Sequence, residues 1–333
     1  MRKERDIVIS SRVRLARNVA GLPFPALLGD GQAKQLPREV YASVSGQDRF
    51  RLYSIERLGL VAGNVLKEKH LVSEDLLQNK ATGAAIINET ETVSIMVNEE
   101  DHIRIQCILD GYDLKEAYKT ANQADDQISK KVRYAFDTRL GYLTACPTNL
   151  GTGMRASAMM FLPGLSICNS LEVCINAIAR LNMEIRGVYG EGSESAGYMY
   201  QVSNQRTLGL SELEIIDAVE MSVGHIEDAE LRAREALVKN GGAEFRDKIQ
   251  RAYGILTNAY ILGSAEFMQL ISLVKLGSYY GFIKLSDKDR FEKLIVEAQP
   301  ASLQTRSNQE LSPEERDIFR ASYVAKTVKS LLL

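Results

Sequence analysis

The 333 residues are 45% apolar and 25% charged, with 41 Lys+Arg against 43 Asp+Glu and a net charge of −2, the balance of an ordinary water-soluble globular chain rather than a disordered or fibrous one. A near-neutral chain with no Trp and 7% aromatic residues is not expected to hold nucleic acid by bulk charge or base stacking. Four Cys without a C-x-x-C pair, three His, no apolar leader and no uninterrupted apolar run argue against a zinc site, disulfides and a membrane span, and predict a cytoplasmic chain.

In chain order, residues 6–15 are rich in Val and Ile and predict a strand. Residues 84–88 and 92–98 predict a hairpin across Glu89-Thr90-Glu91, and 103–109 alternates as a further strand. A helix is expected over 114–134, strands over 141–146 and 155–162, a helix over 170–182, and strands over 183–189 and 198–203. Several of these strands are joined by short loops and can pair antiparallel. The expectation is therefore an α+β fold, a mostly antiparallel sheet flanked by helices.

From Ser211 helix follows helix. Ser211-Glu212-Leu213-Glu214 is a capping-box pattern. Helical stretches follow at 226–239, at 244–276 after a break at Gly241-Gly242, and at 286–298. The last helix starts at Ser312-Pro313-Glu314-Glu315, with a capping Ser, a Pro where its missing N–H is harmless, and Glu three residues on. Two domains are expected from the length: 6–235, and a helical 236–333.

The familiar nucleotide signatures are missing. No Gly-Lys dipeptide occurs, and Gly190-Glu191-Gly192 lacks the third Gly of a dinucleotide fingerprint. Phosphate would have to be gripped by side chains, and Arg outnumbers Lys 24 to 17, with a fork suited to oxyanions. In Ser10-Ser11-Arg12-Val13-Arg14 the two Arg share a strand face at a spacing of roughly 7 Å; the other reading is a solvated strand face. Asn98-Glu99-Glu100-Asp101-His102-Ile103-Arg104 packs three acids behind a strand, which calls for a cation among them or is simply an acidic turn. Arg186-Gly187-Val188-Tyr189-Gly190-Glu191 is a strand end with an Arg and a carboxylate, or a Gly-rich hairpin. Cys146-Pro147-Thr148-Asn149-Leu150-Gly151-Thr152-Gly153 leads to Arg155 and can form an anion-binding loop, unless Cys146 is a small buried hydrophobe.

Jointly, Arg at four strand ends, Glu at two and Cys at one are what holding a triphosphate and a cationic acceptor requires. These four segments resemble the catalytic domain of the ATP:guanido phosphotransferases, the family of creatine and arginine kinases, over roughly residues 6–235. The helical domain that precedes the first Arg motif in the small-molecule kinases has no counterpart before Ser10. A helical region follows instead, and its Arg316-Asp317-Ile318-Phe319-Arg320-Ala321 is similar to the R-D-x-x-R-A motif of the bacterial protein arginine kinases. The alternative for that motif is an intrahelical salt-bridge cluster of ~0.5 kcal/mol.

The resemblance implies transfer of the γ-phosphoryl of ATP, with Mg²⁺, to arginine side chains of proteins. It implies Glu100, Glu191 and Cys146 as catalytic residues, the two Glu clamping the guanidinium and one acting as base. The nucleotide would be bound by Ser10, Ser11, Arg12, Val13, Arg14, His70, Arg104, Arg155, Ala156, Ser157, Ala158, Met159, Arg186, Gly187, Val188, Tyr189, Gly190 and Glu191, and phosphoarginine by Arg316, Asp317, Arg320 and Ala321. It also implies allosteric control, a stress-response role with a Clp-type unfoldase, a heat-shock repressor and an activator protein as partners, and a homodimer; no metal-ligating side chains, nucleic acid or membrane are expected. A kinase for free arginine, or a phosphoarginine-binding module without catalysis, are the alternatives.

Overall fold

Alternation sets the first strand: every second residue of β1 (Val8–Arg17) from Ser11 on is buried, so one face packs while the other stays open. The computed structural model describes residues 6–46, 49–188, 195–307 and 309–331. After β1 come α1 (Asp30–Val44), β2 (Phe50–Ser54), α2 (Leu60–Glu68) and α3 (Glu74–Gln78). The hairpin β3 (Ala84–Asn88) and β4 (Val93–Val97) and the strand β5 (Ile103–Asp110) stand where alternation predicted them.

α4 (Leu114–Ser129) is followed by the short β6 (Phe136–Asp137) and β7 (Gly141–Tyr142), then by β8 (Met154–Phe161), α5 (Pro163–Ile167), α6 (Leu171–Ala179), β9 (Met183–Gly187) and β10 (Met199–Asn204). The helical part comprises α7 (Glu212–Asn258), α8 (Ser264–Tyr279), α9 (Lys288–Glu297), α10 (Pro300–Gln304) and α11 (Pro313–Ser330).

Eight strands form one sheet in the order β2-β3-β4-β5-β1-β8-β10-β9. β1 pairs antiparallel with both β5 and β8, and the β2 to β5 ladders are antiparallel too. The expected mostly antiparallel sheet flanked by helices is present. α4 covers one face of β1 and β5: its buried Leu114, Ala117, Ala121 and Ile128 recur at helical spacing over Val13, Leu15 and Cys107.

Some boundaries differ from expectation for local reasons. α4 stops at Ser129 because the chain turns back to pair with β1's exit, where Ala20 N donates to Arg133 O and Ala135 N to Asn18 O. The strand expected over 141–146 is only Gly141–Tyr142. The helix expected over 244–276 is interrupted before Ser264, where Leu262 N donates to the Asp317 carbonyl instead of continuing the helix. Gly242 leaves helical geometry (φ 48°, ψ −130°) at the expected break in α7, and Ser312 with Glu315 forms the expected capping box on α11.

The chain divides into two compact units. One comprises Met1–Met160, Ala177–Glu184 and Gln201–Gly224; the other comprises Phe161–Asn176, Ile185–Tyr200 and His225–Leu333. In the second, the Glu230 carboxylate, fully buried with Arg234, accepts from the first N–H groups of α5, Gly164 at 2.8 Å and Leu165 at 2.9 Å.

Candidate active site

Register decides which side chains meet. Arg14 lies opposite Gln106 on β5 and opposite Arg155 on β8, Arg12 lies opposite Ser157, and Arg104 lies opposite Ala16. Directly opposed residues point to the same side of a sheet. Arg12, Arg14, Arg104 and Arg155 therefore share the face that α4 does not cover. Like charges opposed across a rung disfavour the pairing unless an anion joins them, and Arg14 with Arg155 is such a rung.

Their electrostatics bear this out. Burial, then the charges of Arg155 and Arg104, push the Arg12 guanidinium down to about 10. Burial and the other three cations push Arg14 down too, against the pull of Glu99. Arg14 Nε is buried without a hydrogen-bond partner. Arg155 Nη2 donates to Glu184 Oε2 at 2.6 Å and to Ser203 Oγ at 2.9 Å, and Arg12 donates to the Gln201 side chain. His70, in left-handed backbone (φ 59°), accepts on its carbonyl from Gln106 Nε2 at 2.7 Å. Burial and then Arg12 push its imidazole down to about 4, so the ring is neutral at pH 7. Such a face is short of negative charge.

The acids stand beside it, on the β4–β5 connection. Asn98, at φ 58°, fixes this turn by donating from Nδ2 to the carbonyls of Ala33 at 2.7 Å and Thr82 at 2.9 Å. Glu99 then points inward with no side-chain exposure and pairs with Arg104 Nη1 at 2.6 Å; Ser73 Oγ donates to the same carboxylate. Its Oε2 is buried without a partner. Glu100, with 42% of its side chain exposed, reaches Arg104 Nη2 at 3.2 Å. Burial raises the Glu100 carboxyl's pKa, Arg104 opposes the rise, and Asp101, Glu99 and Asp75 add to it. Glu100 thus already holds one guanidinium and has open surface for another.

Cys146 is half-buried and precedes a 3-10 turn, Pro147–Asn149. Its Sγ lies 3.0 Å from Thr148 Oγ1, and Thr144 Oγ1 donates to its carbonyl at 2.8 Å. The loop closes through left-handed glycines. At Gly153 (φ 62°) a Cβ would stand 2.6 Å from the Ala16 carbonyl oxygen, so only glycine lets the loop return to β1 so closely.

Other expected nucleotide contacts are placed differently. Ser10, Ser157 and Met159 fall on the arginine face by register, whereas Ser11, Val13, Ala156 and Ala158 are buried on the α4 side. Ser11 Oγ there donates to Gly111 O and accepts from Asp113 N. Arg186, Gly187 and Val188 belong to the second unit, with Arg186 exposed and Val188 N donating to Met199 O at 2.9 Å. Tyr189, Gly190 and Glu191 lie outside the described residues.

On α11, Arg320 is fully buried. Its Nε donates to Ala298 O at 2.9 Å, its Nη1 donates to Leu262 O at 2.8 Å and also pairs with Asp317, while its Nη2 and Arg316 Nε are buried without partners. Ala321 is buried beside them in sequence.

Sequence reasoning passed over Ser73, Glu184, Gln201 and Ser203, and counted Glu99 only among the three acids of its loop. Period two carries the signal for three of these: Glu184 alternates with Arg186 on β9, and Gln201 with Ser203 on β10. Ser73 was legible only as a helix cap, which it is on α3. No group of three or more His, Cys, Asp or Glu able to hold a metal ion occurs among the described residues.

Comparison with known proteins finds relatives of the chain. Residues 32–233 match the model of the ATP:guanido phosphotransferase C-terminal catalytic domain, and residues 242–332 match that of the protein-arginine kinase McsB C-terminal domain. The chain is 44% identical over 327 residues to the protein-arginine kinase of Caldanaerobacter subterraneus subsp. tengcongensis, covering 97% of both chains. It is 45% identical over 329 residues to that of Geobacillus thermodenitrificans, covering 97% of this chain and 91% of the relative. Among solved structures it resembles lombricine kinase, with a TM-score of 0.61 and 27% identity over 70% of this chain and 68% of that one. A duplicated taurocyamine kinase from Schistosoma mansoni shares the fold, with a TM-score of 0.60 and 22% identity over 84% of this chain and 48% of that one.

Proposed function

Because the chain belongs to the ATP:guanido phosphotransferase family, we propose that it is a protein-arginine kinase, moving the γ-phosphoryl of ATP to a guanidinium nitrogen of a protein arginine. The observation that carries this reading is the arginine face bordered by a carboxylate already clasping a guanidinium, Glu100 on Arg104.

A guanidinium is a poor nucleophile, with delocalised lone pairs and a pKa above 12. Glu100 would hold the acceptor arginine in line with the γ-phosphorus and take its proton as the N–P bond forms and the bond from phosphorus to the bridging oxygen of ADP breaks. Glu191 is proposed as the second carboxylate of the clamp. Arg12, Arg14, Arg104, Arg155 and Arg186 would bind the phosphates and stabilise the charge on the transferring group. Ser10, Ser157, Met159 and His70 would line the nucleotide, and Cys146 the acceptor side. Mg²⁺ would be held chiefly by the phosphate oxygens, neutralising their charge. The free Oε2 of buried Glu99 fits as an acceptor for a water on such an ion.

Arg316, Asp317, Arg320 and Ala321 are proposed to bind phosphoarginine for allosteric control. The unpartnered N–H groups of Arg316 and Arg320 support this, being donors in want of an oxyanion. No described helix is long and apolar enough to cross a membrane. A cytoplasmic homodimer, acting in the stress response with an activator, a heat-shock repressor as substrate and a Clp-type unfoldase downstream, completes the reading by family resemblance.

The test is mass spectrometry of a protein substrate incubated with ATP, without acid because the P–N bond is acid-labile. Phosphate on Arg is expected; phosphate on Ser, Thr or Tyr overturns the assignment, and turnover of free arginine alone makes the chain a small-molecule kinase.

A further inference from the structure

Asn18 and Asp101 are both buried, at 2% and 0% exposure, and neither bears the proposed chemistry. Yet they tie three segments of the site together. Asn18 Nδ2 donates to Asp101 Oδ1 at 2.6 Å and to the Leu143 carbonyl at 3.0 Å, while Asn18 Oδ1 accepts from His102 N at 2.9 Å. Asp101 Oδ1 accepts a second bond, from Ala145 N at 2.7 Å. The far end of the same loop is held by the preceding residue, Arg17, whose Nη1 donates to the Thr152 carbonyl at 3.0 Å. Consecutive residues at the end of β1 therefore grip the cysteine loop at both ends.

Asp101 makes no ion pair among the described residues, and its Oδ2 is buried without a partner. A carboxylate buried on hydrogen bonds alone is an expensive way to fill space. Its position accounts for it: Asp101 follows Glu100 directly, and the amide it binds belongs to the residue before Cys146.

We propose that Asn18 and Asp101 form a positioning clamp that fixes the cysteine loop against the acidic loop, setting Cys146 relative to Glu100. The inference rests on the kinase reading for its catalytic consequence, but its geometry can be tested without it.

The experiment uses the full chain and measures two things: the rate at which iodoacetamide alkylates Cys146, followed by peptide mapping, and kcat with KM for ATP. Asp101→Ala removes the bonds to Ala145 and Asn18. Alkylation of Cys146 is expected to quicken severalfold and kcat to fall by about 100-fold, with KM for ATP held within about twofold because the arginine face is untouched. Asn18→Ala removes the same contact from the other side, with the bonds to Leu143 and His102. Asp101→Asn keeps the side-chain oxygen that accepts from both Asn18 Nδ2 and Ala145 N.

Asn18→Ala is expected to move both readouts in the same direction and serves as the test if Asp101→Ala does not fold, whereas Asp101→Asn is expected to stay near the parent in both. Alkylation unchanged in Asp101→Ala, or in Asn18→Ala where Asp101→Ala does not fold, or an Asp101→Asn variant as impaired as Asp101→Ala, overturns the clamp. Alkylation that follows the clamp while kcat does not move keeps the clamp and overturns the catalytic roles given to Cys146 and Glu100.

Discussion

Arg155 and Glu184 face each other at 2.6 Å, each about a quarter exposed, inside the face proposed to receive the nucleotide. Incoming phosphates must share Arg155 with a carboxylate or displace it. Glu184→Gln keeps a hydrogen-bond acceptor and removes the charge. It should tighten binding of a non-hydrolysable ATP analogue by about fivefold, the scale of a partly exposed ion pair worth about 1 kcal/mol. Calorimetric titration would read this directly; weaker binding would mean that Glu184 instead holds Arg155 ready.

Glu100 lies in surroundings that raise its carboxyl's pKa, chiefly through burial. Since the clamp needs the ionised form, the acid limb of kcat/KM for the acceptor arginine should fall above the ordinary glutamate range. A carboxyl raised on folding stabilises the protein below its ordinary pKa and loses that contribution as pH rises through the folded value. Glu100→Gln should therefore abolish turnover yet melt higher than the parent at pH 7.5, the gap closing in acid. Wild-type turnover in that variant would sink the clamp model.

His70 titrates near 4 in the folded chain because of burial and Arg12, against an ordinary value of about 6.5. As pH falls through this window the unfolded chain takes up the proton first. The contribution of the neutral ring, complete above pH 6.5, is thus lost progressively down to pH 4. His70→Gln should flatten the fall in stability over that range in urea titrations at successive pH values. An ATP analogue close to Arg12 should also raise the His70 value, which imidazole NMR signals would report.

Arg17 and Asp125 form a buried ion pair at 2.7 Å, with the guanidinium 3.6 Å from the centre of the Tyr142 ring. Removing one partner strands a charge. Arg17→Met should destabilise the protein by about 3–5 kcal/mol in denaturant unfolding, whereas Arg17→Met with Asp125→Leu should recover much of that. No recovery in the double variant would place the loss in the bonds from Arg17 to Ala16 O and Thr152 O.

Much of the site was legible because period two is a strong signal. Arg12 and Arg14 two apart, and Arg104 with Glu100 four apart across a turn, show in the sequence which residue types gather. What it hides is cross-strand register. Nothing in the order of residues places Arg14 opposite Arg155, or sends Glu184 to Arg155 from another strand. The segment from β1 through α2 was likewise silent: α1 carries Pro37 within it and has Gly29 at its N-cap without a side-chain bond, and β2 buries only Phe50 fully. The capping boxes at Ser211 and Ser312, which depend only on neighbours in sequence, were read correctly.

The proposed triphosphate grip, being made of side chains, would have a consequence for how the protein comes into being. A glycine-rich phosphate loop is one local turn, ready once its own strand and helix exist. Here the cations at 12, 104 and 155 meet only after β1 has been flanked on both sides, by β5 and by β8. A ribosome-bound chain, or a fragment ending before β8, would lack that grip. Nucleotide bound there would in turn favour the finished sheet, by about 2.7 kcal/mol at a hundred times its dissociation constant, and would close the rung on which two arginines otherwise push β1 and β8 apart.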